Sequence, residues 1–367
     1  MSSAVPLAEA VTAEAPDVTD DVALARMHDQ VSAELVGAGP LEPLLGLPSV
    51  TDVLVNAPDQ VWIDRGAGME PAGVRFADDA AVRRLAQRLA AAAGRRLDQA
   101  QPYVDASLPD GTRLHAVLPP ITPCTTVSLR VLARRRLSLA DLADCGALPG
   151  PVAPMLQAIV AARLAVILSG GTGTGKTTLL GALLSEVPAT ERVVTIEDAA
   201  ELVVDHPHVV PLLARAANVE GAGEIGLREL VRQSLRMRPD RLVVGEFRGA
   251  EVVELLVALN TGHEGGAATL HANSAADVPA RFAALGALAG LPEAAMAGLA
   301  ASAIDVVVHL RRGRDGRRAV EEIGLLRRHG EALVVSPVWS VAAGPGAALP
   351  ELAAVLADRG YPLAGWS

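Results

Sequence analysis

The rhythm of apolar and polar positions changes part-way along the chain. Residues 21–37 place Val22, Leu24, Met27, Val31, Leu35 and Val36 on a helical period, which predicts an amphipathic helix. Residues 1–20, rich in Ala, Glu, Asp, Pro and Thr, carry no such period and are expected to form a disordered tail. After the turn-rich GPLEPLL come TDVLVN (51–56) and QVWID (60–64), a predicted strand pair split by Ala-Pro-Asp. Residues 78–94 set Val82, Leu85 and Leu89 opposite Arg83, Arg84 and Arg88, as a one-faced helix does. DGTRLHAVLPP (110–120) reads as turn and strand, and TTVSLRVL (125–132) as another strand. Residues 21–145 are therefore expected to form a smaller α+β domain, followed by a Gly/Pro-rich linker at 146–154.

From residue 155 the pattern alternates between helical and strand periods, the signature of a mainly parallel sheet and an α/β fold. Predicted strands are LAVILS (164–169), RVVTIE (192–197), RLVVGE (241–246) and AATLHA (267–272). Helices are expected at 155–163, from Lys176, and at 227–237, 249–260 and 275–289. After residue 303, IDVVVHL, RRAVEEIGLL and ALVVSPVW predict an edge meander, and 349–359 a final helix. The second domain thus spans 155–367 with a helical C-terminal end, and no internal repeat is visible.

Half the residues are apolar but 2% are aromatic, so the cores must be built from Ala, Val and Leu. A formal charge of −10 argues against nucleic acid as a partner, because phosphate neutralisation favours a basic balance. Two cysteines, Cys124 and Cys145, make neither a disulfide framework nor a four-ligand zinc site, and are expected to be reduced and buried. No basic n-region precedes an apolar h-region, so no signal peptide is read. The apolar stretches 151–169 and 294–310, interrupted or bounded by Arg163, Glu293 and Asp305, are not read as membrane spans, and a cytoplasmic chain is expected. Of the 32 basic residues, Lys176 alone is lysine and the rest are arginine. A compact ammonium on a flexible stem fits inside a backbone loop wrapped around phosphates, where a planar guanidinium does not.

The residues around that lysine, Gly170-Gly171-Thr172-Gly173-Thr174-Gly175-Lys176-Thr177, fit G-x-x-x-x-G-K-[ST], after a predicted strand and opening a helix. Glycines let backbone amides turn inward around phosphates, and the helix N-terminus adds partial positive charge. Lys176 is expected to reach the β- and γ-phosphates of a nucleotide, the Thr177 hydroxyl to bind Mg²⁺, and Thr178 to complete the set. In the third strand the usual Walker B aspartate position holds Gly245, and the acid is Glu246. Glu246 is a candidate to orient water or to hold magnesium through water; the alternative is a surface strand terminus. Glu197 and Asp198 end the second strand, where ligands sit in open α/β sheets, though capping would also account for Asp198. TGHEGGAATLHAN brings His263 and His271, read either as structural groups or as phosphate sensors. His206 and His208, around Pro207, read as solvent-exposed. Arg236, Arg238 and Arg241, with Arg113, Arg130 and Arg134 to Arg136 of the first domain, read as solvated or paired structural arginines, or for a subset as arginine fingers across a subunit boundary.

In their order and spacing, GGTGTGKTT, RVVTIEDAAEL, LRMRPDRLVVGEFRG and TGHEGGAATLHANS resemble the Walker A, Asp box, Walker B and His box of the type II/IV secretion ATPase superfamily. GPLEPLL, TDVLVN, DGTRLHAVLPP and TVSLR of the first domain match as well, and the tight-adherence (Flp) pilus assembly ATPases look most similar. The four-cysteine metal element of general-secretion ATPases is absent. The resemblance implies a RecA-like P-loop core, ATP and Mg²⁺ as cofactors, and a hexameric ring at the inner face of the plasma membrane. Nucleotide-driven domain motion would drive pilus assembly or protein secretion through an inner-membrane platform protein. It also implies Glu246 as catalytic glutamate, Glu197 as Asp-box carboxylate, and His271 as sensor with His263 beside it. Thr177 would share Mg²⁺ with Glu197 or Glu246 through water, and Arg113 and Arg130 would reach phosphate. The competing readings are a RecA-like nucleic-acid motor and a nucleotide kinase.

Overall fold

In the computed structural model the described residues are 37–47, 50–66, 68–131, 136–215, 217, 222–313 and 315–363. The tail 1–20 and the expected helix carrying Val22 to Val36 lie outside them, as do Arg134 and Arg135. The chain divides at residues 133/134 into two compact units.

The first unit is one antiparallel sheet with a helix on it. Strands β1 (Asp52–Ala57), β2 (Gln60–Asp64), β3 (Met69–Pro71), β4 (Tyr103–Ser107), β5 (Arg113–Val117) and β6 (Thr126–Arg130) pair in the order β3-β2-β1-β6-β5-β4. Alternation buries Val53 and Val55 of β1, Leu114 and Ala116 of β5, and Val127 and Leu129 of β6. Helix α1 (Asp79–Ala92) adds Val82, Leu85 and Leu89 to the same core. The Asp78 side chain caps it by accepting the Ala81 amide at 2.7 Å. Neither β3 nor β4 shows a strand rhythm in sequence. All of β3 is exposed, and β4 buries Val104 alone. Asp64, Asp52, Arg130 and Arg113 stand in register across β2, β1, β6 and β5.

The expected linker region does not separate two bodies. Helix α2 (Leu139–Asp144), capped reciprocally by Ser138 and Asp141, buries Leu139 and Leu142, and Leu148 joins them in the core of the second unit. Helix α3 (Val152–Ala161) then leads to the large sheet.

That sheet has nine strands: β7 (Val166–Gly170), β8 (Val193–Glu197), β9 (Val209–Leu213), β10 (Arg241–Val244), β11 (Ala267–Leu270), β12 (Val306–Arg312), β13 (Arg318–His329), β14 (Ala332–Ser340) and β15 (Gly344–Pro345). Their order is β15-β14-β13-β12-β7-β11-β10-β8-β9. The run from β12 to β9 is parallel throughout, and β13 to β15 are antiparallel. Strands β7, β8, β10 and β11 are buried at every position, as expected of a parallel sheet covered on both faces. One face packs against α3, α4 (Lys176–Ser185) and a C-terminal helix, Leu349–Asp358. The other packs against α5 (Leu227–Ser234), α6 (Glu251–Leu259), α7 (Val278–Leu288) and α8 (Glu293–Ala303). Among the described residues no single helix is long and apolar enough to cross a membrane; the apolar neighbours over 275–303 meet at a 120° bend.

The structure departs from the sequence reading at four points. The meander starts one strand later than expected, because β12 pairs in parallel with β7. Strand β9, which the sequence reading missed, is a half-exposed edge strand whose apolar run is broken by Pro211, a residue without the donor an interior strand needs. The cysteines are free but not buried: Cys145 is exposed and Cys124 is half-exposed. His206 and His208 are half-buried rather than solvated, with a 3.1 Å contact from His206 Nε2 to the Pro188 carbonyl.

At the opposite end of the sheet from the phosphate-loop motif, Arg241 opens β10 at 1% exposure. Its guanidinium donates to Glu191 Oε2 at 2.6 Å and to the Val160 carbonyl at 3.0 Å. A buried charge is tolerated only when so partnered. Arg241→Met should therefore destabilise the second unit by about 3 kcal/mol, read as a lowered denaturant midpoint.

Candidate functional site

Parallel strands all end at one edge, so whatever follows β7, β8, β10 and β11 converges there. Strand β7 ends in Gly170, and the turn 171–175 carries the chain into α4 at Lys176. Gly170 has φ +151, and a Cβ on it would lie 2.5 Å from the Leu310 carbonyl of β12 and 2.7 Å from Thr174 Oγ1. Gly175 precedes the helix at φ +95, in the left-handed region. The loop is held from within by Thr174 Oγ1 donating to the Gly171 carbonyl at 3.0 Å. From outside, Arg318 Nε of β13 donates to the Gly173 carbonyl at 2.7 Å. Lys176 is 7% exposed, and its Nζ donates to the carbonyls of Gly170 and Gly171 at 3.0 and 2.8 Å. Burial draws its ammonium below the ordinary lysine range, against the pull of Glu246 and Glu201. Thr177 is half-buried, while Thr178, Gly171, Thr172 and Gly173 are exposed.

The carboxylates stand across the neighbouring strands. Glu197, 5% exposed at the end of β8, accepts the amides of Glu201 and Leu202 through Oε1 at 3.0 and 2.9 Å. Beside it in β10 register is Gly245, where a Cβ would lie 2.9 Å from Glu197 Cγ. That contact explains the missing Walker B aspartate: the neighbouring strand's glutamate fills the space. Glu246, the next residue, contacts His271 Nε2 through Oε1 and accepts Arg248 Nε at 2.6 Å through Oε2. Arg248 also reaches Asp198 at 3.6 Å. Burial first, then the Lys176 charge, holds His271 below the ordinary imidazole range, with Glu246 acting against both.

Glu197, Glu246 and His271 therefore gather at the edge from which the 170–177 loop springs. His263 does not join them. It lies before β11 rather than after it, with Nδ1 3.2 Å from the Ala258 carbonyl at the end of α6. Arg113 and Arg130 belong to the first unit, where Arg130 Nε donates to Asp52 Oδ1 at 3.0 Å. Among the described residues no three His, Cys, Asp or Glu side chains form a ready metal cluster.

Residues 34–337 match the family model described as type II/IV secretion system protein. The chain belongs to this family. A Mycobacterium tuberculosis protein provisionally named for conjugal transfer is 57% identical over 316 residues, covering 84% of this chain and 90% of its own. The type IV secretion system protein PtlH of Bordetella pertussis is 34% identical over 321 residues, covering 77% and 92%. The Legionella pneumophila ATPase DotB shares the fold at 20% identity, with a TM-score of 0.54 over 79% of this chain and 80% of its own.

In this member of the secretion family, the sequence reading missed Arg248, Arg318, Gly245's role and a buried pair, Ser169 and His309. Arg318 lies 145 residues from its loop partner, beyond any local pattern. His309 did leave a signal: a histidine inside the apolar run IDVVVHL needs a buried partner.

His309 is 3% exposed, and burial holds it below the ordinary imidazole range. Lys176 acts in the same direction, while Glu321, Asp277 and a backbone hydrogen bond with Asn273 oppose it. An unfolded chain takes up this proton near pH 6.5, before the folded one does. His309 thus leaves stability intact above that pH and subtracts from it as pH falls. Thermal melts from about pH 7.5 to about pH 5.5 should show a falling midpoint, with a smaller fall in His309→Gln.

Proposed function

We propose that this member of the type II/IV secretion system family is an Mg²⁺-dependent ATPase on a RecA-like core, converting ATP and water to ADP and phosphate. The observation that carries this reading is the seat of Lys176: one buried ammonium on the carbonyls of its own glycine loop, within electrostatic reach of Glu246. An ammonium resting on neutral carbonyls has a stronger partner to gain in a phosphate. The loop amides at the start of α4 supply further donors.

The donors suit magnesium, which takes hard oxygen ligands and keeps several waters. The Thr177 hydroxyl would hold it, with Glu197 or Glu246 through water; bound there, it would neutralise developing phosphate charge. The chain's own contribution is to orient. Glu246, steadied by His271 and Arg248, is proposed to position the attacking water, and His271, neutral at physiological pH, to sense the terminal phosphate. Arg113 and Arg130, in one register row of the first unit, are proposed to reach phosphate as well.

Family membership and resemblance support the cellular role proposed here. PtlH belongs to a type IV secretion system, and the M. tuberculosis relative is named for conjugal transfer. We place this chain as a hexameric ring at the inner membrane face, working on a platform protein in pilus assembly or protein export, with the Flp-type pilus as the subtype of choice. The net charge of −10 favours this over a nucleic-acid motor.

Two substitutions test the engine. Lys176→Ala should weaken ATP binding by roughly 10–100-fold in equilibrium titration, the loss of a charge-assisted contact; unchanged affinity would overturn the loop assignment. Glu246→Gln should keep ATP affinity within about threefold while phosphate release falls by roughly 10²-fold or more. Near-normal release from Glu246→Gln would move the water-orienting role to Glu197.

A further inference from the structure

Next to the phosphate loop, but outside the machinery just described, lies a buried polar pair. His309 on β12 stands in register with Ser169 on β7, one residue before the loop's first glycine. Ser169 Oγ lies 2.9 Å from His309 Nδ1, and the two residues are 0% and 3% exposed. On its other side Ser169 stands in register with Leu270 of β11, the residue that precedes His271.

The buried Ser169–His309 hydrogen bond thus ties β12 to β7, the strand whose other neighbour leads into His271. The strand that carries the histidine also touches the loop. Its pairing with β13 shifts register between His309 and Leu310, and the Leu310 carbonyl is the group that leaves no room for a side chain at Gly170. Bulges of this kind re-aim side chains beside functional sites.

We propose that His309 is a positioning residue: it ties the root of the phosphate loop to the segment that carries His271, and so fixes the imidazole against Glu246. This inference rests on the ATPase reading above. It assigns His309 no contact with substrate; the histidine acts through Ser169, which stands in register with Leu270 beside His271. A merely structural buried histidine would lower binding and turnover together when replaced. A positioning residue for the His271 segment separates them, because the loop and Lys176 stay in place.

The test is a paired measurement of ATP affinity and turnover in full-length wild type, His309→Leu and His309→Gln. His309→Leu should lose turnover by about 10-fold or more with affinity within about threefold, and His309→Gln, whose amide both accepts and donates, should recover most of the loss. Where the leucine variant fails to fold, His309→Asn replaces it: the shorter amide keeps polarity but loses reach, so its turnover should fall below that of His309→Gln. Turnover within about twofold of wild type in these variants, or joint loss of affinity and turnover without recovery by Gln, overturns the proposal. Wild-type protein that binds no ATP sinks the ATPase reading instead, so the two failures are distinct.

Discussion

Lateral crowding at the carboxyl edge of the large sheet governs the site. Parallel strands spaced at ordinary sheet distance leave little room where their ends turn toward one another. At Gly170 the limit is the Leu310 carbonyl, and at Gly245 it is the side chain of Glu197. Removing a side chain at these two points lets the loop fold back on its own carbonyls and lets an acid from the next strand stand where an aspartate is usual. The acid set is thus shared between strands, with Glu197 from β8 and Glu246 from the end of β10.

Much of this was legible in the sequence because it is local. A glycine loop between a strand and a helix is written in consecutive residues, and the lone lysine marks it a second time. Glu197, Glu246 and His271 were legible because parallel strands deliver their last residues to one edge. What stayed hidden depends on distant partners. Arg318 reaches the loop from across the sheet, Arg248 owes its place to the contacts of Glu246, and His309 meets Ser169 through the parallel β12–β7 pairing, where a meander had been expected. His263 shows the converse. It is near His271 in sequence, but a strand lies between them, and a strand carries its two ends to opposite edges.

The first unit repeats that contrast. Its buried strands read clearly from alternation, while β3 and β4, exposed or nearly so, do not. The register row of Asp64, Asp52, Arg130 and Arg113 could not be found by inspection, because it needs the strand order β2-β1-β6-β5. An exposed pair such as Arg130 with Asp52 adds little to stability. The row is better understood as arranging charge than as holding the sheet together.

The seating of Lys176 has a chemical corollary. It is the one side chain in the whole sequence that ends in a primary amine. Any acylating or aldehyde reagent that modifies a side-chain amine must therefore enter the glycine loop, where the nitrogen is shielded and held by carbonyls. The extent of such modification becomes a direct gauge of whether that loop is open, closed or filled.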